Sequence, residues 1–161
     1  SRDWSSDVCS SDLEGKINYV GGIVITANGT WYYNNNEEYA YLKAVDSNSD
    51  KTAPGYLNST YIAKQQLPVE LRIVEREDSG YVVSLMADEN IVEAESFVTG
   101  MGIASSDFSM QKMGEQVRFL SKGKGHGLGF SQYGGNKLAK EGKNWKEILN
   151  TYFPLMDITK N

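Results

Sequence analysis

Residues 108–154 read FSMQKMGEQVRFLSKGKGHGLGFSQYGGNKLAKEGKNWKEILNTYFP, and three kinds of local pattern follow one another along them. Phe108–Lys112 and Gln116–Ser121 flank Met113-Gly114-Glu115, which reads as a β-hairpin. A glycine-dense loop runs from Gly123 to Gly129. Ser131 is a helix cap in waiting, and the pattern behind it predicts a helix to about Lys140, ended by Gly142. Asn144-Trp145-Lys146-Glu147 has the spacing of a capping box, so a last helix is expected through Tyr152 and stopped by Pro154. A hairpin followed by two consecutive helices, with no alternation of strand and helix, belongs to an α+β fold rather than a parallel α/β one.

Upstream, the same alternation of strand and turn signals recurs. Leu67–Glu75 and Tyr81–Ala87 flank Asp78-Ser79-Gly80, a second hairpin. Glu93–Met101 is helix-like, with Phe97, Val98 and Met101 on one face and Gly102 as the stop. Residues 16–26 and 30–33 surround Asn28-Gly29 and read as a further hairpin. Tyr39–Val45 is a short apolar run, and Asp46 to Gly55 a polar loop. The expectation is an α+β domain, mainly antiparallel hairpins with two or three short helices and a C-terminal helix pair.

The first thirteen residues, SRDWSSDVCSSDL, fit neither period. They resemble translated sequencing-adapter sequence, so residues 1–13 are expected to be a non-native, disordered segment and 14–161 the domain, truncated at its N-terminus. Those thirteen residues carry the chain's lone cysteine, Cys9. No internal disulfide or thiolate-rich zinc site can therefore form. The single histidine, His126, excludes a multi-histidine metal centre. No apolar run approaches the roughly 20 residues that cross a bilayer. The chain of 161 residues has a net charge of −5, which argues against a general nucleic-acid binder. Charge is uneven, however: residues 112–146 hold eight basic and two acidic side chains. Such a stretch is either a solvated lysine face or a weak, salt-sensitive attractor of an anionic polymer.

Chemistry concentrates in Gly123-Lys124-Gly125-His126-Gly127-Leu128-Gly129-Phe130-Ser131-Gln132-Tyr133-Gly134-Gly135. Alternate glycines let a backbone pass close to another strand or to a ligand. An imidazole at their centre can transfer a proton near neutral pH. A nucleophile elbow needs G-x-S-x-G, but Gly129 and Gly134 bracket one residue too many. Neither a dinucleotide fingerprint nor a phosphate-binding loop has the right spacing. From spacing alone His126 is either a site residue or a histidine satisfied within a tight turn.

The run GKGHGLGFSQYGGNKLAKEGKNWKEILNTYFP resembles the C-terminal signature of the stage II sporulation protein D family, the domain shared with LytB. Its pattern is G-H-G-x-G-x-S-Q-Y-G-A, a short helix, Gly-Lys, and an E-I-L…Y-Y/F-P ending. Tyr41–Ser47 (YLKAVDS) resembles that family's P-Y-L-x-S-V-D-S segment, Gly21-Gly22 with Trp31 its S-G-G…W segment, and Met101–Ile103 with Ser105–Ser109 its Leu-Gly-Leu helix end and S-T-D-F-S segment. The likeness runs over roughly residues 17–156. Gly135 stands where the family usually has alanine, and Ala40 where it has proline.

The resemblance implies work on bacterial cell-wall peptidoglycan, outside the cytoplasm, by a secreted or membrane-anchored protein. The family includes a lytic transglycosylase that cuts glycan strands stripped of their stem peptides, and other members that modify a cell-wall amidase. Lytic cleavage needs one carboxyl group of raised pKa, set by burial against apolar surface, whereas hydrolytic enzymes generally use two carboxylates. The family's glutamate sits in an E-M-P-like motif upstream of the S-G-G segment, and no such motif is in this chain. Glu37, Glu38, Glu93 and Glu95 read as solvated. Some members hold zinc near the S-G-G segment; Asn18, Tyr19 and Val20 stand there, so neither metal nor cofactor is expected. The resemblance gives His126 a supporting catalytic role, bonding the carboxyl or a sugar hydroxyl. It makes Gly125, Gly127, Gly129, Ser131, Gln132 and Tyr133 the binding set, with Tyr133 stacking under a pyranose ring or packing at its helix start. Trp145, Tyr152 and Phe153 are expected in the core. The implied partners are peptidoglycan glycan strands and, in the amidase-enhancing alternative, a cell-wall amidase or other sporulation wall proteins.

Overall fold

In a computed structural model of the chain, the residues described are 45–127 and 130–158. The 16–33 hairpin, most of the 39–45 run, the adapter-like segment, and residues Glu37, Glu38 and Gly129 lie outside them. The described residues form two antiparallel sheets of three strands, three helices and two short 3-10 turns, which is the α+β class expected.

Strands β1 (Leu57–Ala63), β6 (Gln116–Lys122) and β5 (Phe108–Met113) make one sheet, with β6 central. Strands β2 (Leu71–Arg76), β3 (Val82–Ala87) and β4 (Asn90–Glu93) make the other, with β3 central. Period-2 alternation puts Ile62, Phe108 and Phe119 on the inner face of the first sheet; in the second, the β2–β3 register shifts between Ser84 and Val82, and this irregularity lets Val82 and Leu85, three residues apart, both be buried. Helix α1 (Ala94–Met101) adds Ala94, Phe97 and Val98 and ends at Gly102 with φ 67°. Phe97, Phe108 and Phe119 form a ring trio with centroids 5.7–6.5 Å apart. Burying a phenylalanine fully is worth about 2–3 kcal/mol, so this trio anchors the larger core.

Helices α2 (Gln132–Lys140) and α3 (Trp145–Tyr152) build a second core of Phe130, Ile148, Leu149, Tyr152 and Phe153, with Trp145 half-buried against it. Both expected caps are present. Ser131 Oγ accepts from the Gly134 amide at 3.0 Å, and Asn144 with Glu147 closes a reciprocal capping box.

Three boundaries differ from expectation. The first hairpin arm begins at Leu71, because Lys64–Gln66 is a 3-10 turn and Pro68 cannot donate to the ladder. Strand β1 was not legible at all, because its inward face starts with Asn58 and Thr60 rather than apolar residues. The stretch Asp46 to Gly55 is not simply a loop: Asn48–Thr52 is a 3-10 turn that buries Asp50 completely.

Candidate functional site

The glycine loop leaves β6 and is tied down by its backbone. The Gly123 amide donates to Tyr56 O at 2.7 Å, and the Gly125 amide to Ala104 O at 2.8 Å. Ser105 pairs with Gly125 as an isolated parallel bridge, and Ser105 Oγ donates to Lys122 O at 2.6 Å. Asn58 Nδ2 reaches Gly123 O at 3.2 Å, which accounts for an asparagine on the inner face of β1. The alternation of glycines has a plain cause. Gly123, Gly125 and Gly127 have φ of 71°, 112° and 77°, a region side chains rarely adopt. Gly127 also lies flat against Tyr81: a Cβ there would sit 2.5 Å from Cζ of that ring. His126 projects from between two such residues and is half-buried, neither sealed in the core nor standing in solvent.

Below the loop's exit lies a buried polar hub. Asp50, fully buried, accepts hydrogen bonds from the hydroxyls of Ser47 and Ser131. The Tyr152 hydroxyl bonds Ser47, and its pKa is pushed up to about 12, first by burial and then by the Asp50 charge, with the Ser47 bond opposing. Tyr56 is also raised, by burial first and then by Asp107 and Asp50. Asp107 in turn meets the Arg76 guanidinium at 3.3 Å, and Arg76 donates to Phe108 O at 2.6 Å and to Gly80 O. A buried carboxylate persists only when hydrogen-bonded; here its donors come from residues more than eighty positions apart. Asp50 thus staples the 3-10 turn to the start of α2.

Two further glycines explain how tightly α2 is set. A Cβ on Gly134 would lie 2.0 Å from the Tyr152 hydroxyl. A Cβ on Gly135 would lie 2.7 Å from the Phe130 ring. The glycine that departs from the family's alanine is therefore matched to the phenylalanine five residues before it.

The sequence-derived candidates now separate. Gly125, His126 and Gly127 lie together on the tied loop, with Gly125 exposed and Gly127 half-buried. Gln132 and Tyr133 are half-buried on the first turn of α2, and Tyr133 keeps its hydroxyl at the surface, 3.2 Å from Thr52 Oγ1. Ser131 needs correction as a sugar-contacting residue. It is 1% exposed, and its hydroxyl is already engaged by Asp50 and the Gly134 amide. Its motif position reflects capping and the hub, not surface contact. Sequence reasoning passed over Asp50; its one available signal was an acid in the polar stretch Asp46–Thr52, which is also what a solvated loop looks like. Glu93 and Glu95 are exposed. Among the described residues no group of three or more histidine, cysteine or acidic side chains is placed to hold a metal. No helix among them is long and apolar enough to cross a membrane.

A scan against models of known protein families finds no match. Curated relatives do match. The chain is 31% identical over 151 residues to stage II sporulation protein D of Bacillus amyloliquefaciens, taking in 84% of this chain and 43% of that protein. It is 32% identical over 144 residues to the protein of the same name from Bacillus subtilis (strain 168), taking in 80% and 41%. An uncharacterized protein of Brachyspira hyodysenteriae is 31% identical over 83 residues, half of this chain and 23% of that one. The chain spans less than half the length of the stage II sporulation proteins it matches. On this evidence the chain belongs to the stage II sporulation protein D family, of which it carries a part.

Proposed function

We propose that this chain is the glycan-holding part of a bacterial protein that processes peptidoglycan strands at the cell envelope. The observation that carries the reading is the tied glycine loop. Its backbone is anchored at Gly123 and Gly125, and three left-handed glycines present one imidazole on a rigid support. Rigid presentation of a single donor–acceptor ring suits binding of a sugar hydroxyl or orientation of a carboxyl group, since geometry held in advance costs no ordering on binding. Tyr133, on the first turn of α2, offers an aromatic face of the kind that takes a pyranose ring. The names of its relatives support a sporulation role, and the family resemblance adds the wall as its place.

In this reading the acid that protonates a glycosidic oxygen comes from the family's upstream glutamate motif, and the chain described here binds and orients the strand. The test uses purified sacculi stripped of stem peptides. The protein is expected to sediment with them, and His126→Ala to weaken sedimentation about tenfold while the melting temperature stays within a few degrees. Unchanged sedimentation of the variant would remove His126 from the site. A protein that fails to sediment yet raises the turnover of an added wall amidase would instead fit the enhancing alternative. Anhydro-ended products from the complete protein would assign the transglycosylase.

A further inference from the structure

Strand β5 is an edge: β6 pairs with one side of it, and no strand among the described residues pairs with the other. The Lys122 amide donates to Asp107 O at 2.9 Å. Bonded and unbonded pairs alternate along an antiparallel ladder, so Ser109, Gln111 and Met113 also turn their N–H and C=O groups towards β6. Met110 and Lys112 turn theirs the other way, a row of donors and acceptors repeating at roughly 7 Å. At the start of that row the Phe108 carbonyl is capped by the Arg76 guanidinium. Met110 and Lys112 have no such cap among the described residues. The side chains of these same two residues line a groove of about 540 Å³. Leu67, Leu71 and Val117 form its apolar floor, packed on the larger core, and the fully exposed Val69 stands at its margin.

Charge says what the groove takes. Lys64 and Lys112 stand at it, both exposed, and neither forms an ion pair among the described residues. Glu70, the acid beside Val69, is taken by Arg72 at 3.5 Å. Glu115, whose carbonyl accepts from the Lys64 amide, pairs with neither lysine through its side chain. A second copy of β5 laid edge to edge would gather four ammonium groups on one seam, which like-charge repulsion disfavours. A segment that carries carboxylates would satisfy them. We infer that the free edge of β5 and the groove beside it dock an extended segment of an acidic partner protein, added to the sheet as a further strand. The partner's backbone bonds the main-chain groups of Met110 and Lys112, its alternate apolar side chains enter the groove, and its carboxylates meet Lys64 and Lys112. This inference is independent of the glycan reading, because the edge and groove share no residue with the imidazole loop or the start of α2.

The probe is a fluorescein-labelled peptide of alternating valine and threonine with paired glutamates at each end, titrated against the whole chain by anisotropy. A peptide ending in lysines instead is the charge control. Two N-methylated peptides, one for each alternate set of central amides, are the backbone controls. The glutamate peptide is expected to bind about tenfold more tightly than the lysine one, the gap narrowing as salt is raised. N-methylation of one set should abolish binding, and of the other leave it largely intact, since only one set faces β5. The double variant Lys64→Glu with Lys112→Glu should invert the charge preference. Met110→Pro, a change an edge strand tolerates where the N–H faces outward, should weaken binding about tenfold. Circular dichroism melts establish that each variant is folded. No binding of the glutamate peptide at millimolar concentration, a preference that survives the charge reversal, or undiminished binding of both N-methylated peptides overturns the docking edge.

Discussion

Replacing Gly134 by alanine tests how the start of α2 is held. In an ordinary helix such a change is favourable, by about 0.5–1 kcal/mol, because glycine loses more backbone entropy on folding. Here the new methyl would be built 2.0 Å from the Tyr152 hydroxyl and 3.3 Å from Asp50 Oδ2. Both neighbours are fixed, since Tyr152 is buried and bonded to Ser47, and Asp50 is fully buried. Overpacking against such atoms costs about 1–3 kcal/mol, which outweighs the propensity gain. The expected net loss is about 1–2 kcal/mol, read as a fall in melting temperature of roughly 3–8 °C for a domain of this size. A double-mutant cycle sharpens the assay. Tyr152→Phe alone forfeits one buried hydrogen bond, about 1 kcal/mol. In the Gly134→Ala background it also removes the colliding oxygen, leaving Cζ at 3.3 Å as the nearest ring atom. The two changes should therefore couple favourably by at least about 1 kcal/mol in urea denaturation. A Gly134→Ala variant as stable as the wild type, or strictly additive changes, would refute the packing described for α2.

Other consequences are independent of that cycle. With Tyr152 raised to about 12 from 10, the unfolded chain loses its proton first as pH climbs, so stability present below pH 10 should fall between pH 10 and 12. The slope attributable to this group is about 1.4 kcal/mol per pH unit, and alkaline melts of Tyr152→Phe should lack that component. Asp50→Ala should cost about 2–4 kcal/mol in chemical denaturation, because it strands two buried serine hydroxyls; a surface-like effect under 0.5 kcal/mol would argue against the hub. Gly135→Ala should destabilise the chain by about 1–3 kcal/mol, and Phe130→Leu should recover part of that loss, since the Phe130 ring fills the alanine's space.

Legibility in the sequence tracked how local the cause was. The hairpin around Gly114, the cap at Ser131 and the box at Asn144–Glu147 are set by neighbours a few residues away, and the structure has them where the residues announce them. The turn between β3 and β4 escaped notice because Asp88, not glycine, takes the positive φ of 53° there, held by its bond from the Glu70 amide. β1 escaped because Asn58 faces inward to serve the glycine loop, a requirement made 65 positions downstream. At the site, the motif drew attention to the glycine loop and to Tyr133, which the structure places on a tied loop and on the first turn of α2. It misread Ser131, whose partner Asp50 is 81 positions away. Long-range polar pairing leaves no periodicity in a single sequence, so the hub was invisible while the loop it supports was not.

The most direct test of the account is an amide chemical-shift titration of the isotope-labelled protein with stem-peptide-free glycan oligomers. Shifts are expected at Gly123–Gly127 and Tyr133, with the Phe97–Phe108–Phe119 core unmoved. Shifts gathered instead along the groove of about 540 Å³ lined by Leu67, Val69 and Met110, or no shifts at all, would contradict a saccharide site at the imidazole loop.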